Sequence, residues 1–130
     1  MADFNKVVLV GRLTRDPLLA YTPEQTPVVS FGLAINRAWT DVNEQRRQTT
    51  CFVECAFYGV RALPVHKYLT KGSSCLVEGQ LEYQTWQAKG QTRSRHIVIV
   101  QRVVFMDHKR NNDSNDSQAG DSANETTGTP

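Results

Sequence analysis

The sequence has no apolar run of the roughly 18 uncharged residues that a membrane-spanning helix needs. Residues 1–6 also lack the apolar segment of a secretory signal, and Asp3 argues against an Arg-rich transit peptide. These absences predict a protein that stays where it is made, in the cytoplasm, with no membrane partner.

Cysteine is scarce and odd in number, with Cys51, Cys55 and Cys75 only. Without a secretion signal, an odd number argues against a disulfide framework. Cys51 and Cys55 form a CxxxC, but the spacings of zinc sites are absent. We therefore predict buried or bystander thiols and neither a metal nor a cofactor.

Catalytic signatures are missing as well. No Ser-His-Asp arrangement, paired carboxylates or phosphate-binding loop can be found. His66 and His96 have no acid or nucleophile partner visible in the sequence, which favours surface or packing roles. The sequence thus predicts a binding protein and not an enzyme.

Net charge is small, at +2 over 130 residues, but it is unevenly distributed. Residues 1–107 carry 13 Lys/Arg against 9 Asp/Glu, and residues 108–130 carry 2 against 4. A weakly basic domain with an acidic tail is compatible with a polyanionic partner. Because residues 108–130 have no aliphatic side chain larger than alanine, we predict a folded domain over 1–107 and a disordered tail after it.

Before that boundary, runs of strand length recur. Alternation is clearest where Val29, Phe31 and Leu33 share one face. A polar loop is predicted over Thr40–Gln48 and a turn at Lys89-Gly90. The five predicted strands are Phe4–Arg15, Val28–Trp39, Cys51–Gly59, Cys75–Trp86 and Arg93–Met106.

One short helix is predicted over Arg61–Thr70, with Pro64 in its first turn and Lys71-Gly72 at its end. A helix between the third and fourth of five strands is the order of an OB-fold. This all-β fold is a five-stranded, partly open Greek-key barrel that binds oligonucleotides on one face. An SH3-like barrel is the main alternative, and the helix position favours the OB-fold.

Several strings along residues 5–106 resemble, in order, those of bacterial single-stranded DNA-binding proteins. They are Asn5–Leu13, Arg15–Pro17, Tyr21–Pro23, Phe31–Trp39, Phe57–Gly59, Tyr68–Ser73, Val77–Leu81 and Trp86. The resemblance implies a homotetramer that binds single-stranded DNA and acts at the nucleoid in replication, recombination and repair.

The resemblance also implies that bases stack on four aromatic platforms, Trp39, Phe52, Tyr58 and Trp86. Every base has a π-face, so stacking suits a binder without sequence preference. Phe52 stands where the family more often has tryptophan. The residues support this independently, because Phe52 and Tyr58 share a strand face with Glu54, and that face is not a dry core. Rim packing or an oligomer contact is the alternative role for these aromatics.

Phosphate contacts are expected from basic side chains near these platforms. Arg46 and Arg47 fall in the predicted Thr40–Gln48 loop, which could close over the strand. The candidate phosphate-binding residues are Lys6, Arg12, Arg37, Lys71 and Arg93.

Three features depart from the family pattern. The segment Glu82–Thr85 replaces several basic residues, and Glu54 stands where arginine is frequent. The chain ends in Thr-Thr-Gly-Thr-Pro, without the acidic tip that recruits replication and repair partners in the family. These departures leave open an accessory member, an OB-fold interaction module of the primosomal type, or a single-stranded RNA binder.

Overall fold

The computed structural model describes residues 2–106 of the chain. The predicted tail, residues 108–130, lies outside the described residues. The elements in chain order are β1 (Val7–Leu13), β2 (Leu18–Tyr21), β3 (Pro27–Thr40), β4 (Arg46–Tyr58), a 3-10 turn (Val60–Ala62), α1 (Leu63–Tyr68), β5 (Ser74–Ala88) and β6 (Gln91–Phe105).

Five of the strands close into a barrel. The order β1–β5–β6–β4–β3 returns to β1 through two residue pairs, Arg12 with Ala34 and Leu13 with Leu33. All contacts around the ring are antiparallel except β4 with β6. The prediction of an all-β OB-fold with one short helix is confirmed. The two-pair contact between β1 and β3 is the narrow seam of the barrel.

Strand β2 was not predicted. It is four residues long and pairs with the start of β3 as a hairpin, from Leu18 opposite Ser30 to Tyr21 opposite Pro27. Turn signals at Asp16-Pro17 and Thr22-Pro23 flank it so closely that its sequence has no room for a period-2 pattern.

The core lies inside the barrel and is built by the predicted alternation. Val29, Phe31 and Leu33 of β3 have no solvent exposure. They pack in one cluster with inward residues of the other strands and with Val65 of α1, which closes one end of the barrel. We call the side of each strand that faces this cluster the inner side, and the opposite side the outer side.

The predicted loop over Thr40–Gln48 is wrong in extent. β3 continues to Thr40 and β4 begins at Arg46, in register across the hairpin. Asp41 makes the short turn possible, because its Oδ1 accepts the backbone N–H groups of Asn43 and Gln45, both at 2.9 Å. Arg46 and Arg47 therefore belong to a strand, and polar composition alone misled the prediction.

The predicted helix over Arg61–Thr70 is also too long. The α-helix ends at Tyr68, since Leu69 adopts an extended backbone and buries its side chain. Lys71 and Gly72 lie in a later turn, where the Lys71 N–H donates to Asp16 Oδ1 at 2.8 Å. Pro64 stands in the first turn of the helix, as predicted.

Candidate nucleic-acid interface

Two long hairpins project from the same end of the barrel. β4 and β6 run parallel and pair only from Cys55 with Val98 to Phe57 with Val100. Residues 46–54 of β4 and 91–97 of β6 precede that contact, so the β3–β4 and β5–β6 hairpins both extend beyond it in one direction. At about 3.4 Å per residue, each extends roughly 20–30 Å.

Phe52 and Tyr58 lie on the outer side of β4, and both are well exposed, at 71% and 49%. Phe52 pairs with Ala34 of β3, and Ala34 pairs in turn with Arg12 of β1. These three residues are neighbours across adjacent strands, with Arg12 and Phe52 on either side of Ala34. The structure thus brings together Arg12 and Phe52, which are distant in sequence.

Trp39 lies on the opposite side of the same hairpin. The register from Val28 to Thr40 has no irregularity, so Trp39 shares the inner side with Arg37 and with its partner Arg47. The Arg37 guanidinium carbon is 4.5 Å from the centre of the Trp39 ring. A single strand that contacts both Trp39 and Phe52 must therefore pass around the hairpin.

Trp86 is on the outer side of the β5–β6 hairpin, directly opposite Arg93. It lines an open depression together with Gln84, Thr85 and Arg95. The Arg95 guanidinium carbon is 5.4 Å from the centre of the Trp86 ring. Sequence reasoning named Arg93 and missed Arg95.

A sequence signal for Arg95 did exist. Lys89 and Gly90 both have positive φ, 53° and 77°, as a two-residue hairpin turn requires. That turn sets the register, so counting outward from it places Arg93 opposite Trp86 and Arg95 opposite Gln84. The predicted turn is confirmed, and the pairing follows from it.

Glu54 lies between Phe52 and Tyr58 on the outer side, and Arg15 pairs with it. The Arg15 Nη2 and Nη1 atoms donate to Glu54 Oε2 and Oε1 at 2.6 and 3.2 Å. This hydrogen bond is the main cause that raises the pKa of Arg15. Gly32 faces Glu54 across the strands, and a methyl group there would collide with Thr14 and press on Arg15. Sequence reasoning missed Arg15, because its carboxylate partner is distant in the chain.

The other candidate cations are more scattered. Lys6 Nζ is 3.6 Å from Glu78 Oε2, on the β1–β5 side of the barrel. Arg102 also binds Glu78, and its hydrogen bond is the main cause that lowers the pKa of that carboxyl group. Arg47 donates to Asp41 at 2.9 Å, and its hydrogen bond is likewise the main cause that lowers the pKa of Asp41.

The cysteines do not form a site. Cys51 is exposed, while Cys55 and Cys75 are buried in the core. Burial raises the pKa of the Cys55 thiol to about 12. Within residues 2–106 no cluster of His, Cys, Asp or Glu could hold a metal ion. The same part of the chain contains no helix that is long and apolar enough to cross a membrane.

Known proteins are similar to this chain in sequence and in fold. The chain is 38% identical to the "Single-stranded DNA-binding protein" of Helicobacter pylori over 110 residues, 84% of this chain and 62% of that protein. The "Single-stranded DNA-binding protein" of Thermotoga maritima is 39% identical over 110 residues, which cover 84% of this chain and 78% of that protein. The chain thus spans less than two thirds of the Helicobacter pylori relative.

Two solved structures of single-stranded DNA-binding proteins are also similar to this fold. A "Plasmodium falciparum SSB complex with ssDNA" matches with a TM-score of 0.77 and 25% identity, over 82% of this chain and 98% of that one. A deletion mutant of the single-stranded DNA-binding protein from Thermus aquaticus matches with a TM-score of 0.72 and 31% identity, over 80% and 51% of the two chains. The model of the "Single-strand binding protein family" matches residues 4–106, so the chain belongs to that family.

Proposed function

We propose that this protein binds single-stranded DNA without sequence preference and protects it during replication, recombination and repair. The observation that carries the proposal is the set of exposed aromatic rings Trp39, Phe52 and Trp86 on two hairpins that project from one end of an OB barrel, with arginines beside the two tryptophans. The printed names of its relatives, and a similar structure described as a complex with ssDNA, support it. The proposed place of action is the cytoplasm, at the nucleoid.

Stacking is the main proposed contact, on Trp39, Phe52, Tyr58 and Trp86. Arg37 lies over the ring of Trp39 and Arg95 over that of Trp86, and both indoles remain partly exposed, at 37% and 43%, so that a base can stack on them. Each stacked base contributes roughly 1–3 kcal/mol of binding free energy, whatever its identity.

Phosphates are proposed to bind the cations near these rings. Arg12 and Phe52 both pair with Ala34, which separates them, and Arg93 is the partner of Trp86. Arg37, which lies beside Trp39, and Lys71, in the turn after α1, remain proposed phosphate contacts, and we add Arg95. Lys6 remains a prediction, but its ion pair with Glu78 already occupies the ammonium group.

A homotetramer is proposed as the functional assembly. β1 pairs with β5 along its length but with β3 only at Arg12 and Leu13, which leaves one edge of its first half open. An open edge is a template for pairing with another chain. Val8 on the outer side of β1 is 53% exposed, so an apolar surface accompanies that edge. Light scattering at micromolar concentration tests the proposal, and a monomeric mass would refute it.

Intrinsic tryptophan fluorescence tests the binding proposal. Oligo(dT) should quench the emission of Trp39 and Trp86, and duplex DNA at equal phosphate concentration should not. Oligo(rU) is the third titrant, and tighter binding to it would make the protein an RNA binder. Equal quenching by oligo(dT) and duplex would show that stacking on unpaired bases is not the mechanism.

A further inference from the structure

The inner side of the β5–β6 hairpin carries an aromatic pair that the proposed function does not use. Tyr83 and His96 are cross-strand partners with ring centroids 4.9 Å apart and planes inclined by 50°. Tyr83 is 59% exposed, and His96 is exposed as well. Because side chains alternate along a strand, this pair lies on the side of the hairpin opposite Trp86.

Hydrogen bonds occupy polar side chains on both sides of this hairpin, including one on the inner side near its turn, where Gln87 donates to Thr92 at 2.8 Å. On the outer side, Gln84 accepts a hydrogen bond from Arg95 at 3.3 Å and donates one to Glu82 at 2.8 Å. Within residues 2–106, the Tyr83 hydroxyl and the His96 ring make no hydrogen bond or ion pair. Their polar atoms therefore have no partner among these residues, and the surface of the pair that the two rings do not cover in each other is exposed to a ligand.

The position of the pair relates it to Trp39. Leu81 and Val98, one step towards the barrel from Tyr83 and His96, are partners on the inner side, and Val98 belongs to the core cluster. Trp39 also lies on the inner side of its own hairpin but further from the barrel, eight residues beyond Phe31, whose partner Cys55 pairs with Val98. Both hairpins project in one direction, so their inner sides flank the continuation of the barrel interior.

We infer that Tyr83 and His96 form a further base-stacking platform for single-stranded DNA, on the inner side of the β5–β6 hairpin. The inference rests on the proposed function and adds a site to it. A strand that enters from Trp39 and Arg37 meets this pair on the neighbouring hairpin, so the platform continues the proposed interface. Both side chains present π-faces, and stacking on them does not depend on base identity.

The competing explanation is that the pair only stabilises the hairpin, as cross-strand aromatic pairs do. Tyr83→Leu distinguishes the stacking platform from this stabilising role, because leucine keeps an apolar side chain on the strand and removes the π-face. His96→Gln does the same for the partner. Tyr21→Leu is the matched control. Tyr21 is 57% exposed on β2, which pairs with the start of β3, and Trp39 lies near the other end of that strand.

The experiment is a titration of the full chain and each variant with oligo(dT) at several salt concentrations, read by tryptophan quenching. Tyr83→Leu should weaken binding about 5- to 150-fold with an unchanged salt slope, and Tyr21→Leu should bind like the unsubstituted protein. Unchanged affinity in Tyr83→Leu would overturn the inference and leave the proposed function intact. Absence of quenching in the unsubstituted protein would overturn both.

Photo-crosslinking of the unsubstituted protein to an oligonucleotide that contains 5-iododeoxyuridine gives a readout that needs no variant. Tryptic cleavage after Lys71, Lys89 and Arg95 separates the two strands of the hairpin, and fragmentation locates the modified residue. Crosslinks at Tyr83 or His96 support the platform. Crosslinks at Trp39 or Trp86 with none at Tyr83 or His96 would overturn it.

Discussion

Arg15 and Glu54 form a bidentate ion pair on the outer side of the barrel, with N–O distances of 2.6 and 3.2 Å. Glu54 lies between Phe52 and Tyr58, where an uncompensated acid would repel phosphate. The pair changes that expectation, because Arg15 offsets the carboxylate charge. Glu54 also occupies Arg15, which could otherwise contact a phosphate.

Removing the Glu54 charge should therefore free a cation. Glu54→Gln is expected to tighten oligo(dT) binding and to steepen the dependence of log K on log salt by about 0.7, one extra phosphate contact. Glu54→Arg should go further in the same direction, and Arg15→Gln should weaken binding by leaving Glu54 unpaired. Titrations at several salt concentrations measure both quantities. If Glu54→Gln changes neither the affinity nor the salt slope, the outer side of β4 does not face the bound DNA.

Loss of a stacking platform should have a different signature. Trp39→Ala or Trp86→Ala is expected to cost roughly 1–3 kcal/mol of binding free energy at every salt concentration. The salt slope should change little, because stacking releases few counterions. Fluorescence anisotropy of labelled oligo(dT) measures this with either tryptophan removed. A large change in slope with little loss of affinity at high salt would argue against stacking.

Substitution of Lys71 and of Lys6 should change the salt dependence of binding by different amounts, because the two lysines have different surroundings. Lys71→Ala is expected to flatten the salt slope by about 0.7, as for one lost phosphate contact. Lys6→Ala should flatten it less, because the Lys6 ammonium group lies 3.6 Å from Glu78. The same anisotropy titration compares the two variants, which have equal charge. Equal slopes would mean that the ion pair with Glu78 opens on binding.

The buried thiol of Cys55 should make stability depend on pH. Burial raises its folded-state pKa to about 12, above the value of about 8.5 expected in the unfolded chain. The stabilisation is thus complete below pH 8.5 and is lost as pH rises towards 12, by up to about 1.4 kcal/mol per pH unit. Urea unfolding at pH 8 and pH 10 measures it.

Cys55→Ala is the control for that experiment, because other groups also titrate above pH 9. We expect the variant to be less stable at neutral pH, because it loses a buried side chain, but its unfolding free energy should fall less between pH 8 and pH 10. An identical fall in both proteins would assign the pH dependence to other groups.

How much of the site could be foreseen depends on whether its contacts are local. Alternation placed Phe52, Glu54 and Tyr58 on one side of a strand, because a period of two holds wherever a strand is regular. The turn at Lys89-Gly90 likewise determined the register around Trp86. The hairpin at Asp41 and the end of the helix at Leu69 escaped prediction, since each depends on one side chain satisfying a particular set of contacts.

The sequence by itself determined the existence of the five barrel strands, their core-facing residues and the exposed aromatics Phe52 and Tyr58, because each follows from neighbours along the chain. Tertiary structure alone decided which distant residues meet. The parallel contact of β4 with β6 sends both hairpins in one direction, and it joins segments with no local sequence link. The pairing of Arg15 with Glu54 spans 39 positions and passes over Gly32, so only the closed barrel brings the two charges together.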